Sequence, residues 1–197
     1  MQTEITVQVF EELEEIIEKL EYLGYKKEDY LKGKDYYFAS LKNEDIRESS
    51  YKNLIDNSLI IRSFFIESKN ICSNLMTYKH KIQDKNGNVI SEEKTQTTIG
   101  DKENTLKILS NIGLNNFVTL EQENYFYSNG EIQVIVGRVN GLEGCFIEIE
   151  EYPSIAKKSK EEKFDILCEK VNSFNFKHGT DYSCKKVYML LNKKTQI

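Results

Sequence analysis

Four segments of the chain place charged or polar residues two apart: Glu4-x-Thr6-x-Gln8, Lys79-x-Lys81, Glu121-x-Glu123 and Glu148-x-Glu150. In an extended chain successive side chains alternate between the two faces of a sheet, so the members of each pair point the same way. Arg62 adds a charge inside the mostly apolar run Leu59-Ile60-Ile61-Arg62-Ser63-Phe64-Phe65, and Arg138 does so between Gly137 and Val139. Taken singly, each pair is most simply the wet face of an antiparallel strand. Together they say more, because Phe146 shares a face with Glu148 and Glu150, so that face is not simply wet. Charges on separate strands converge on one space only if a barrel turns its polar face inward. A lumen holding both signs has a chemical use: Lys and Arg grip phosphate oxygens while carboxylates hold Mg²⁺ or Mn²⁺ between protein and phosphate.

The elements that must position these residues are readable from periodicity. Residues 3–10 alternate, with Ile5, Val7 and Val9 on the face opposite Glu4, Thr6 and Gln8. EELEEIIEKLEYLGY sets Leu13, Ile16, Ile17, Leu20 and Leu23 on one helical stripe, and Gly24 stops it. A short strand is predicted over 36–40, a polar loop over 42–57, strands over 58–67, 73–83 and 89–98, and a hairpin turn over 84–88. Asp101 caps a helix that ends at Gly113. Strands follow over 117–127, 131–139 and 145–151, then an amphipathic helix over 158–174 and a last helix over 183–191. About eight strands with turn signals at short spacing predict an α+β fold: an antiparallel sheet closed into a barrel, with flanking helices, in one domain spanning 1–197.

Composition narrows the function classes. With 39% hydrophobic residues, 12 Tyr and 10 Phe, the chain can build a sizeable core. A net charge of −5 argues against a general nucleic-acid binder. No apolar run approaches the roughly 20 residues of a membrane helix, and MQTEITVQVF lacks a secretory pattern, so a cytoplasmic protein is expected. Cys72, Cys145, Cys168 and Cys184 form no CxxC pair and read as reduced thiols. His80 and His178 have no motif around them. There is no GxxxxGK[ST], GxSxG or HExxH, and Gly141-Leu142-Glu143-Gly144 lacks the context of a dinucleotide fingerprint.

Over most of its length the chain resembles the CYTH family of triphosphate tunnel enzymes, which includes class IV adenylate cyclases, thiamine triphosphatases and inorganic triphosphatases. The matching stretches are EITVQ at 4–8, IIRSFF at 60–65, MTYKHK at 76–81, GLEGCFIEIE at 141–150 and DYSCKKVYMLL at 181–191, with DKENTLKILSNIGL between them. The resemblance implies a closed tunnel of eight antiparallel strands that binds a triphosphate with one or two divalent metals. Glu4, Glu148 and Glu150 would then hold Mg²⁺ or Mn²⁺. Arg62, Lys79 and Lys81 would be the catalytic and substrate-binding cations, with Arg138 also binding substrate.

The sequence departs from the family pattern. Thr6 and Gln8 stand where its ExExK strand has a second glutamate and a lysine. Glu121 and Glu123 align with a Lys-x-Arg pair, Gly137 aligns with an aspartate, and Glu143 is an extra residue in the Gly-Leu turn. Exchanging two cations for two anions would change the lumen by four charges, each contributing about 1 kcal/mol at ~4 Å in water and about 4 kcal/mol in a partly buried site. Two functions follow. One is a metal-dependent hydrolase or cyclase acting on a triphosphate. The other is a catalytically degenerate tunnel that binds a phosphorylated or other small ligand without turnover. A third option is a homodimer through the helices at 11–23 and 158–174, though an apolar helix stripe is more often core packing.

Overall fold

In the computed structural model, residues 3–40, 57–83 and 89–194 are described. The order is β1 (Glu4–Val9), α1 (Leu13–Tyr22), β2 (Lys26–Ser40), β3 (Asn57–Ile66), β4 (Ile71–Gln83), β5 (Val89–Thr98), α2 (Lys102–Asn111), β6 (Leu114–Ser128), β7 (Gln133–Val139), β8 (Cys145–Glu150), a short 3-10 turn, α3 (Lys160–Ser173) and α4 (Lys186–Lys194). The hairpin turn expected at 84–88 lies outside the described residues, as does the loop expected over 42–57 except for Asn57, which begins β3. The strand expected over 36–40 is the end of a 15-residue strand, and the last helix begins at Lys186 rather than at 183.

All eight strands form one antiparallel sheet in the order β1-β8-β7-β6-β2-β3-β4-β5. The expected closed barrel is corrected here. Among the described residues β1 and β5, the two ends of the sheet, do not pair with each other. The free edge of β1 is instead taken by the segment leading to α4. Thr6 N donates to Tyr182 O at 3.0 Å, Cys184 N to Thr6 O at 3.0 Å, Gly179 N to Gln8 O at 2.9 Å and Phe10 N to Lys177 O at 2.8 Å. An edge strand must find partners for its backbone groups or leave them to solvent, and here the chain's own later segment supplies them.

Three apolar clusters fix the shape of the sheet. Ile5, Val7 and Val9 of β1, with Val134, Val136, Ile147 and Ile149, pack outward against Leu13, Ile16 and Leu20 of α1 and Leu167 and Val171 of α3. Phe38 and Ile61 pack outward under Leu109 of α2. The third cluster lies on the inner face, where Tyr37, Ile60, Leu120, Val139 and Phe146 meet Val187, Leu190 and Leu191 of α4. The period of two therefore sends β1 and β8 carboxylates inward while their aliphatic neighbours bind the outer helices. The C-terminal helix covers the inner face itself.

Candidate functional site in the lumen

The inner face encloses a cavity of 420 Å³. Of the residues expected from sequence, it gathers Glu4, Arg62, Lys79, Glu148 and Glu150, together with Thr6. β1 and β8 run antiparallel, so Glu4 lies directly opposite Glu150 and Thr6 opposite Glu148. Across the lumen, Lys79 of β4 lies directly opposite Lys94 of β5. Lys81 is two residues further along β4, where side chains lie outside the described ones.

Two expectations are corrected by register. Gln122 and Asn124, not Glu121 and Glu123, line the lumen. Glu123 turns outward and binds Lys32 at 2.7 Å, and Glu121 turns outward to pair with Lys34. These neighbours hold both carboxyls below the usual carboxylate range, each chiefly through the hydrogen bond from its lysine. Where the sequence led to two inward carboxylates on β6, the lumen therefore holds two neutral amides. Arg138 is exposed on the same outward side, opposite Glu123 in the register, because Ile135, Gly137 and Val139 occupy the inner positions of β7. It is not a lumen residue. With Glu121 and Glu123 it lines a larger outer concavity of 990 Å³, whose walls carry charges of both signs.

Several lumen residues escaped the sequence reading. Asp35, 2% exposed, accepts from Arg62 at both oxygens: Nε to Oδ1 at 2.8 Å and Nη2 to Oδ2 at 2.6 Å. Gln122 Nε2 donates to Asp35 Oδ2 at 3.3 Å. Burial works against the Arg62 charge, but the Asp35 carboxylate more than offsets it and holds the guanidinium firmly protonated. Lys186, near the start of α4, reaches into the cavity and forms an ion pair with Glu148. Both partners are largely buried, with side chains 13% and 18% exposed. No motif marks Asp35, which sits in the mixed run LKGKDYY. Lys186 lies within DYSCKKVYMLL, but only the path of 177–184 along β1 brings it inside.

Gly137 supplies the room that Asn124 needs beside Lys186. A Cβ there would stand 2.8 Å from Asn124 Oδ1 and 3.6 Å from Lys186 Nζ. Asn124 Oδ1 itself is buried with no hydrogen-bond partner among the described residues.

Charges from several strands act on Glu4. The Glu4 carboxyl opens to solvent at the mouth, yet surrounding protein desolvates it and raises its pKa above the usual range. Repulsion from Glu148 and Glu150 adds to the rise, while Lys79 and Lys186 oppose it. Lys79, which lines the same cavity, therefore acts on Glu4 from β4. The lumen has two poles: opposed lysines on β4 and β5, and opposed carboxylates on β1 and β8.

The carboxylate pole has the right chemistry for Mg²⁺ or Mn²⁺, which favour oxygen donors. The arrangement, however, does not fit a resident metal. Lys186 already sits on Glu148, and among the described residues no three His, Cys, Asp or Glu groups come together as a set able to hold a metal ion.

No family model matches the chain, and no curated protein matches it. Solved structures do. A Pyrococcus horikoshii protein aligns over 98% of this chain and 99% of its own, with 20% identity and a TM-score of 0.71. A candidate adenylate cyclase from Vibrio parahaemolyticus covers 97% of this chain and 98% of its own at 12% identity and a TM-score of 0.63. A candidate adenylyl cyclase from Hippeastrum, described as having a dominant triphosphatase activity, covers 98% and 96% at 11% identity and a TM-score of 0.60. At these identities the likeness is one of fold, and it agrees with the resemblance that the sequence carries to the triphosphate tunnel proteins.

Proposed function

We propose that the lumen binds a small phosphorylated ligand of the triphosphate class. The observation that carries this reading is the cation pole. Lys79 and Lys94 stand directly opposite each other on adjacent strands, so two ammonium groups are brought to one wall of the cavity. An anion seated against that wall would meet both. Arg62 and Lys185 border the same cavity. Counting Lys186, five cations face four carboxylates (Glu4, Asp35, Glu148 and Glu150), a net of +1 inside a chain of net −5. The volume, 420 Å³, lies within the range of small-molecule sites.

Binding without turnover is the reading this geometry favours, because Asp35 already engages Arg62 and Lys186 already engages Glu148. Hydrolysis is the second reading, and the fold shared with a plant protein of triphosphatase activity supports it. In that case Lys79 and Arg62 would neutralise charge developing on the phosphoryl group while an oriented water attacks.

The test incubates purified protein with inorganic triphosphate, ATP or thiamine triphosphate, with and without Mg²⁺ or Mn²⁺, following melting temperature, phosphate and cyclic AMP. At a ligand concentration about 100-fold over Kd, the expected rise in Tm is roughly 5–10 °C. Lys79→Ala, removing a charged partner, is expected to weaken binding about tenfold or more. If no compound moves the Tm, the proposal fails. Sustained phosphate release that disappears in Lys79→Ala would establish hydrolysis in place of simple binding.

A further inference from the structure

We infer that the Lys186 ammonium is a built-in replacement for a divalent cation at the carboxylate pole, making the lumen a site that works without a resident metal. Three observations carry this. First, Glu4 and Glu150 are directly opposed, and Glu148 follows on the same face of β8, so three carboxylates share one wall of the cavity. Second, Lys186 supplies it from α4 as an ion pair with Glu148 in a largely buried setting. Third, the approach is built rather than incidental. The ammonium lies against the β7 backbone at Gly137, where a Cβ would stand 3.6 Å from Nζ, an ordinary contact distance. The helix itself is anchored by Val187, Leu190 and Leu191 in the inner apolar cluster.

The chemistry of the two cations differs in ways the site reflects. Mg²⁺ and Mn²⁺ demand several oxygen donors at short distances and carry two charges. An ammonium carries one charge, donates up to three hydrogen bonds and needs no closed coordination shell. It is also tethered, so the chain does not lose it by dilution or chelation. A metal arriving at Glu148 would have to displace a covalently held competitor whose local concentration is fixed by the fold.

Glu148 and Lys186 form a coupled pair, so removing the lysine should leave a carboxylate pole ready for metal. The probe is Mn²⁺ alone, followed by electron paramagnetic resonance of the free ion and by calorimetry, with no phosphate compound present. Failure here is therefore distinct from failure of the ligand reading on which the idea of an anion site rests. Wild type is expected to show no Mn²⁺ binding that depends on Glu148, when compared with Glu148→Gln. Lys186→Met, which keeps the aliphatic bulk, is expected to gain Mn²⁺ binding at least tenfold tighter than wild type. Adding Glu148→Gln to that variant should remove the gain. The inference is overturned if wild type binds Mn²⁺ and Glu148→Gln loses it, a result that requires no Lys186 variant to fold. It is equally overturned if folded Lys186→Met binds no more Mn²⁺ than wild type.

Discussion

Arg62 reaches the lumen with its charge already matched. Asp35 holds the guanidinium at two oxygens and is itself 2% exposed, so the pair fixes the side chain's direction more than it offers free positive charge. Asp35→Asn keeps the shape and removes the charge. It should cost about 2–3 kcal/mol, because the guanidinium loses a charged, doubly bonded partner in a confined site. The Arg62 side chain lines the cavity and is 40% exposed, so water recovers part of the loss. The same substitution should tighten binding of inorganic triphosphate by leaving the Arg62 charge uncompensated. Urea unfolding and calorimetry would together check this opposite movement; a variant weaker in both would show that Asp35 only positions Arg62. This pair also shows what residue-level reading reaches. Glu148, Glu150, Lys79 and Arg62 were legible because each stands out against an apolar strand or repeats at a spacing of two. Asp35 was not, since its strand carries charges on both faces. Glu121 and Glu123 obeyed the same spacing rule yet face outward, because one residue of register inverts every side chain and the sequence does not state the register.

At the scale of elements, the helices on the outer face act through the strands they cover. α3 begins with a reciprocal cap: Ser159 Oγ accepts from Glu162 N at 3.2 Å, and Ser159 N donates to Glu162 Oε2 at 2.9 Å. From there Lys163 reaches Glu151 at 3.0 Å, and Glu151 also accepts from Thr3 N at 2.9 Å, tying the helix to the ends of β8 and β1 where Glu150 and Glu4 stand. Ser159→Ala should destabilise the protein by about 1 kcal/mol. Glu162 adds a pH signature. Hydrogen bonds from the Ser159 backbone and hydroxyl hold its carboxyl below the ordinary value of 4.5. A depressed carboxylate contributes stability that is fully present above its unfolded pKa and is lost as pH falls through the folded one. The Tm difference between wild type and Glu162→Gln should accordingly be present at pH 7 and disappear as pH drops below about 4. A difference that persists unchanged at pH 3 would mean the cap works through packing alone. Helices of this kind were largely legible: the stripe of α1 buries Leu13, Ile16 and Leu20, though Leu23 lies past the helix end and stays exposed, and Asp101 caps α2. β2 was mostly missed, because Lys26–Tyr36 alternates no apolar face. Its Lys32 and Lys34 are satisfied by Glu123 and Glu121 on β6, a cross-strand match invisible until the strands are paired.

Taken as a whole, the molecule closes its lumen with its own C-terminal segment. Eight strands curl far enough for Lys79 of β4 to act on Glu4 of β1, yet the sheet ends do not pair, and residues 177–184 lie along β1 before α4 turns inward. This closure was beyond sequence reading for a physical reason: the segment makes backbone bonds at isolated points, pairing parallel at Ser183 and antiparallel at His178, so it has no strand periodicity. One consequence concerns dynamics. If the strap is part of the closed shell, opening it exposes the β1 edge and withdraws Lys186 from Glu148 together, since only Lys185 separates Cys184 from Lys186. The amides of Thr6, Gly179 and Cys184 should then exchange with solvent as one group, slower than an exposed loop and faster than the amides of β7 and β8 in the packed interior. Lys186→Met should speed all three, because loss of the ion pair lowers the cost of opening at its far end. Amide exchange read residue by residue would decide it. Acceleration confined to Cys184 would show that the strap and the lumen cation move independently, whereas a common acceleration reaching Thr6 would show that the edge of the sheet and the charge in the lumen are governed by a single opening.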